Sequence, residues 1–254
     1  MIDLKSKREE LKNAVAATQI ISVAEGTGMR LLELIRSDDK NYVRFLTDAG
    51  EEVKPFEQDP AAFAEGFLAI EGAPKSLGVN FSCSENAAWV IWALADLKKR
   101  IYLNSLLKGE KETEIYSDPE GALRGVEDMA FRENTDFRML MGFMQNYQKG
   151  AVKPDLDAAF QELKEKKFIV EKTGALSIGG AAIITALSFI HAMIAVDALQ
   201  EKEGKKTMTS AIYCNCYHSL WLICPLRKDS PMAICTIGRD ELQKDLKSLF
   251  EVYK

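Results

Sequence analysis

From Gly174 to Val196 the chain runs for 23 residues without a formal charge, GALSIGGAAIITALSFIHAMIAV. No other feature limits the fold as sharply. As a helix this run is long enough to cross a bilayer, and lysines stand on both flanks (Lys167, Lys172; Lys202, Lys205, Lys206). Its first third, however, is rich in Gly, Ala and Ser, and Thr185, Ser188 and His191 interrupt the apolar surface. Small residues at 181, 185, 188, 192 and 195 form a stripe that lets a neighbouring backbone approach closely. A helix that is apolar all round also suits the centre of a large core. The expectation is a core helix to about Leu199, with a membrane-inserted helix over 174–196 as the alternative.

A core of that kind fits the rest of the chain. Its 254 residues are 47% hydrophobic and 28% charged, a globular mixture large enough to need no disulfide or metal staple. The five cysteines are an odd number, and the N-terminus MIDLKSKREELKN lacks the apolar run of a secretory signal. Both point to the reducing cytoplasm. A net charge of −5 gives no global field to attract nucleic acid or an anionic membrane. The one outline of a winged helix, Asp155 to Ile178, balances Lys164, Lys166, Lys167 and Lys172 against Glu162, Glu165 and Glu171. No nucleic-acid partner is expected.

Along the chain, residues 3–24 read as an amphipathic helix through Leu4, Leu11, Val15 and Ile20–Ile21. Two β-type runs around Ser37–Asn41 form a hairpin, and Asp48-Ala49-Gly50 a second turn. Asp59-Pro60 starts a helix, and Ser82-x-x-Glu85 has the spacing of a capping box opening a helix over about 84–107, closed by Gly109. The polar stretch 108–121 is a candidate linker. A Met/Phe-rich helix follows over about 119–147, then a helix capped by Asp155 and a short β run at Phe168-Ile169-Val170. Thr209 to Cys224 alternates as one long strand. Arg227–Ser230 turns it, Met232–Ile237 returns, and 239–252 is a last amphipathic helix.

The fold class that follows is α+β, with antiparallel hairpins packed against long amphipathic and apolar helices. Breaks divide it into an N-terminal half, 1–110, and a C-terminal half, 111–254, which can also form one continuous domain. Gly72-Ala73 and Gly174-Ala175 hint that the halves are similar at an offset of 102 residues.

One cluster has the right elements for chemistry. On a single long strand Cys214, Cys216, His218 and Cys224 share a face, and Cys235 joins them from the return strand. Thiolates with an imidazole suit zinc or thiol catalysis. Strand neighbours i and i+2 lie roughly 6.5–7 Å apart. Zinc–sulfur bonds of about 2.3 Å require sulfurs roughly 4 Å apart. Buried, unreactive cysteines are therefore expected, with a zinc or thiol site as the alternative. No phosphate-binding loop occurs, and two histidines leave little for imidazole catalysis.

What remains is binding. Met129, Met139, Met141 and Met144 with Phe131, Phe137 and Phe143 can form a flexible apolar groove. Tyr213, Tyr217 and Trp221 would line the other strand face. The favoured reading is a non-enzymatic cytoplasmic adaptor or chaperone-like protein without cofactor. It meets a protein partner through Met139, Met141, Phe143, Tyr213, Tyr217 and Trp221, with a homo-oligomer also open.

Overall fold

The computed structural model describes residues 14–24, 28–37, 40–47, 50–109, 114–125, 154–202, 205–216, 219–224 and 231–253. The strands are β1 (Ala14–Ala24), β2 (Gly28–Ser37), β3 (Lys40–Thr47), β4 (Gly50–Pro55), β5 (Asn80–Cys83), β6 (Ala192–Lys202), β7 (Lys205–Asn215), β8 (Leu220–Cys224) and β9 (Met232–Ile237). The helices are α1 (Pro60–Gly66), α2 (Glu85–Lys108), α3 (Glu114–Ser117), α4 (Pro119–Arg124), α5 (Leu156–Glu165), α6 (Ile178–Ser188) and α7 (Arg239–Leu249), followed by a 3-10 turn at Glu251–Tyr253. The α+β class holds. The chain forms two compact units: Met1–Leu77 with His191–Ile223 and Thr236–Lys254, and Gly78–Ile190 with Cys224–Cys235.

Seven of the nine strands lie in the first unit, in the order β4-β3-β2-β1-β6-β7-β8. Its registers are antiparallel, from Thr47↔Gly50 through Ile20↔Leu32 and Ile20↔Val196 to Cys214↔Trp221. Ala16, Thr18, Ile20 and Ser22 alternate inward on β1, so this segment is a strand and not the C-terminal part of a helix over 3–24. Two small hydroxyls on the inward face disguise the two-residue period. Residues 3–13 of the expected helix lie outside the described residues.

Tyr253 closes this inward face. Its hydroxyl donates to the Leu34 carbonyl oxygen at 2.8 Å and lies 3.0 Å from Thr18 Oγ1. Asn215 Nδ2 donates to the carbonyls of Leu68 at 2.8 Å and Ala69 at 3.2 Å, where the chain leaves α1 with Ala69 at φ +47°. Glu65 on α1 accepts from Arg239 Nε on α7 at 2.8 Å, which ties the two helices together. Asp59 caps α1 through Ala61 N–H, as its sequence signature requires.

The order of elements repeats. Four strands and a helix run from Ala14 to Gly66, and four strands and a helix run again from Ala192 to Leu249. In this shared order of elements Ala14 corresponds to Ala192. The offset of 102 fails because it lays the helix α2 over the strands β6 and β7.

In the second unit β5 pairs antiparallel with β9, and α2 is the central helix, buried almost continuously from Ala87 to Lys98. Its N-cap is Ser84, whose Oγ accepts from Ala87 N–H at 3.3 Å. Ser82 lies instead in β5, so the cap sits two residues beyond the expected capping box. Glu162 on α5 accepts from Ser84 N–H at 2.9 Å, and Ser188 Oγ at the end of α6 donates to the Ala95 carbonyl at 2.9 Å. Inside the polar stretch 108–121, α3 and α4 form, with Ile115 and Pro119 buried.

The uncharged run is divided. It begins as α6, capped by Ser177, ends that helix at Ser188, and continues from Ala192 as β6. Met193, Ile194, Val196 and Ala198 are buried there. Among the described residues no helix is long and apolar enough to cross a membrane. The expected single helix to Leu199 is thus half helix and half strand.

Candidate partner-binding surface

The last turns of α2 leave the core. Up to Lys98 the helix is interior, but Tyr102, Leu103, Leu106 and Leu107 are exposed, the three leucines at 50%, 62% and 86%. Residues 103, 106 and 107 follow the i, i+3, i+4 spacing that places side chains on one helical face. Glycine ends the helix because Gly109 takes the left-handed conformation at φ +69°, where its N–H donates to the Ser105 carbonyl.

The root of this stripe is held firmly. Tyr102 packs edge-to-face on Phe189 with ring centroids 5.0 Å apart. Lys98, buried one turn earlier, places Nζ 4.4 Å from the Tyr116 ring centroid and 5.9 Å from that of Phe189. Arg100 Nε donates to Asp96 Oδ2 at 2.9 Å across one turn. A rigid helix with an anchored base and a bare apolar end can present large side chains at little cost in chain entropy. The sequence signal lies in IYLNSLLK, where leucines follow the charged triplet Lys98-Lys99-Arg100 inside the helix expected over about 84–107.

The residues singled out from sequence are arranged differently. Thr209 to Cys224 is not one strand: β7 ends at Asn215, Cys216 N–H donates to the Ser219 carbonyl, and β8 returns. Opposed residues in an antiparallel pair share a face, so Cys214 stands with Trp221, whereas Leu222 stands with Tyr213. Cys224, two residues beyond Leu222 on β8, continues the Tyr213 face. The expected common face for Cys214 and Cys224 is therefore broken by the hairpin.

Cys214 is fully buried, and burial pushes its thiol pKa up. Burial likewise raises Cys216 to about 12. Cys224 and Cys235 are half-buried. Among the described residues no group of three or more His, Cys, Asp or Glu is placed to hold a metal ion. Tyr213 and Trp221 are interior, with Trp221 Nε1 donating to Ser219 Oγ at 2.8 Å, so they form no exposed aromatic face. Tyr217, His218, Met139, Met141, Phe143 and the rest of the Met/Phe-rich segment from 126 to 147 lie outside the described residues, as does the turn Arg227–Ser230.

No family model and no curated protein matches the chain. Among solved structures it is similar to one described as the Mycobacterium tuberculosis type VII secretion system chaperone EspG5 in complex with PE25-PPE41 dimer, at 11% identity. The match covers 99% of this chain and 78% of that chain, with a TM-score of 0.46. A likeness of this strength identifies neither a family nor a ligand.

Proposed function

We propose that the chain is a non-enzymatic protein-interaction module of adaptor or chaperone-like type that meets its partner through the end of α2. The observation that carries this reading is the exposed stripe Leu103, Leu106 and Leu107 on a helix anchored at Lys98 and Tyr102. Taken together, the exposed parts of Leu106 and Leu107 amount to about one and a half leucine side chains. Covering them would contribute about 2–4 kcal/mol. A groove that receives an amphipathic helix does so through anchors at this spacing. Cytoplasmic residence belongs to the same reading, and the odd number of cysteines supports it.

The test compares capture from a host lysate by the wild-type chain and by a Leu106→Ser, Leu107→Ser variant, washed at high salt. The expected result is a stoichiometric protein held by the wild type and released by the variant, with Kd weakened roughly 30- to 1000-fold. Unchanged capture by a folded variant would move the contact away from α2.

A further inference from the structure

The strand β4, Gly50-Glu51-Glu52-Val53-Lys54-Pro55, ends the strand order of the first unit and is exposed along its whole length. Its hydrogen-bonding parity is fixed at the base of the hairpin, where Phe56 N–H donates to the Asn41 carbonyl at 2.9 Å. Inward and outward main-chain groups alternate along a strand. Lys54 and Glu52 therefore turn their main chain toward β3, and Val53 turns its own outward. On the strand face, the side chains of Glu52 and Lys54 pair at 2.8 Å, each 57% exposed.

Charges on an edge strand ordinarily discourage pairing with another chain. Here their order makes one pairing favourable. A two-fold axis normal to the sheet joins two copies of an edge antiparallel and brings together residues of the same face. Centred on Glu51, Glu52 or Lys54, such a pairing sets a charge against its own copy. Centred on Val53, it sets Glu52 opposite the copy's Lys54 and Lys54 opposite the copy's Glu52. Val53 then faces its own copy as the main-chain hydrogen-bonded pair, and Glu51 faces an uncharged proline. Opposite charges at directly opposed positions stabilise a sheet, and like charges weaken it.

We infer that β4 is a self-association edge, pairing antiparallel with β4 of a second copy of this chain in the register centred on Val53. The four side chains Glu52, Lys54 and their copies then alternate in sign across the junction. Six residues bury less than the roughly 1,200–2,000 Å² of a standard interface, so the dimer is weak and forms at high concentration. This inference is independent of the α2 surface.

Sedimentation equilibrium on the full chain, at low salt and up to about 1 mM, reads the dimer fraction directly. Val53→Pro should abolish association without loss of a bond to β3, because the Val53 N–H points outward. Glu52→Lys and Lys54→Glu should each weaken the dimer about tenfold. The double variant Glu52→Lys with Lys54→Glu should restore it. If Val53→Pro does not fold, the charge exchange at these exposed positions still decides. A monomer at every concentration, or a dimer indifferent to the charge exchanges, would overturn the inference.

Discussion

The buried ion pair between β2 and β3 offers a quantitative test of the first unit. Glu33 and Arg44 stand directly opposite each other and are 8% and 5% exposed. Arg44 contacts Glu33 closely and also reaches Glu51 at 3.3 Å, while Arg44 Nε is buried without an acceptor among the described residues. Burial pushes the Glu33 carboxyl above its ordinary range, and the Arg44 charge opposes that rise. Arg44→Met removes the opposing charge and leaves a buried carboxylate, at a cost of about 3–5 kcal/mol. For a chain of this size each kcal/mol lowers Tm by about 2–4 °C. Urea unfolding followed by circular dichroism is the assay. Adding Glu33→Leu to Arg44→Met should recover most of the loss, because an apolar pair replaces an incompletely bonded ionic one. With Arg44 gone, the carboxyl rises further and stability falls as pH rises through its folded pKa. The pH dependence should therefore steepen on the neutral side of pH 4.3 in Arg44→Met and flatten again in the double variant. A loss below about 1 kcal/mol for Arg44→Met, or a double variant as unstable as the sum of the two single changes, would refute the reasoning.

Other consequences follow from the same packing. Tyr253→Phe strips the hydroxyl from the Leu34 carbonyl and Thr18, and should cost about 1–3 kcal/mol in equilibrium unfolding. Gly180→Ala places a Cβ 2.5 Å from the Phe168 carbonyl oxygen and should destabilise by about 1–3 kcal/mol. Gly179→Ala, whose Cβ would meet Ser177 Oγ at an ordinary contact distance of 4.0 Å, should instead gain about 0.5–1 kcal/mol from helix propensity, and thermal melts of the two variants separate them. Burial holds Cys83 and Cys216 at about 12 and raises Cys214, so the folded chain keeps these thiols protonated after the unfolded chain has ionised them. They should resist alkylation at pH 8 until urea is added. Their contribution to stability should be lost as pH rises from about 8.5 toward 12.

Local signals in the sequence were legible where a residue has one conformational job. Asp59 and Asp155 cap the helices they precede, Gly109 ends α2, and the hairpins around Ser37–Asn41 and Asp48–Gly50 pair as their turn residues imply. Periodicity failed where nearly every position is small or apolar. Nothing between Gly174 and Val196 distinguishes a helix face from a strand face, so the switch at Ser188 left no pattern to read. In β7–β8, Asn215-Cys216-Tyr217-His218-Ser219 carries no Gly or Pro, and the alternation runs unbroken through a change of direction. That one reversal separates the cysteines assigned to a common face. The stripe at Leu103, Leu106 and Leu107 was hidden for the opposite reason: composition marks a leucine as apolar, and only tertiary structure tells whether it is covered.

The central claim is that the end of α2 is a protein contact, and a photo-crosslinking amino acid at position 107 tests it most directly. Lys244, an exposed site on α7, provides the control position. Irradiation in the host should yield one discrete, heavier adduct from position 107 and none from position 244. No adduct at 107, or the same adducts from both sites, would contradict the account.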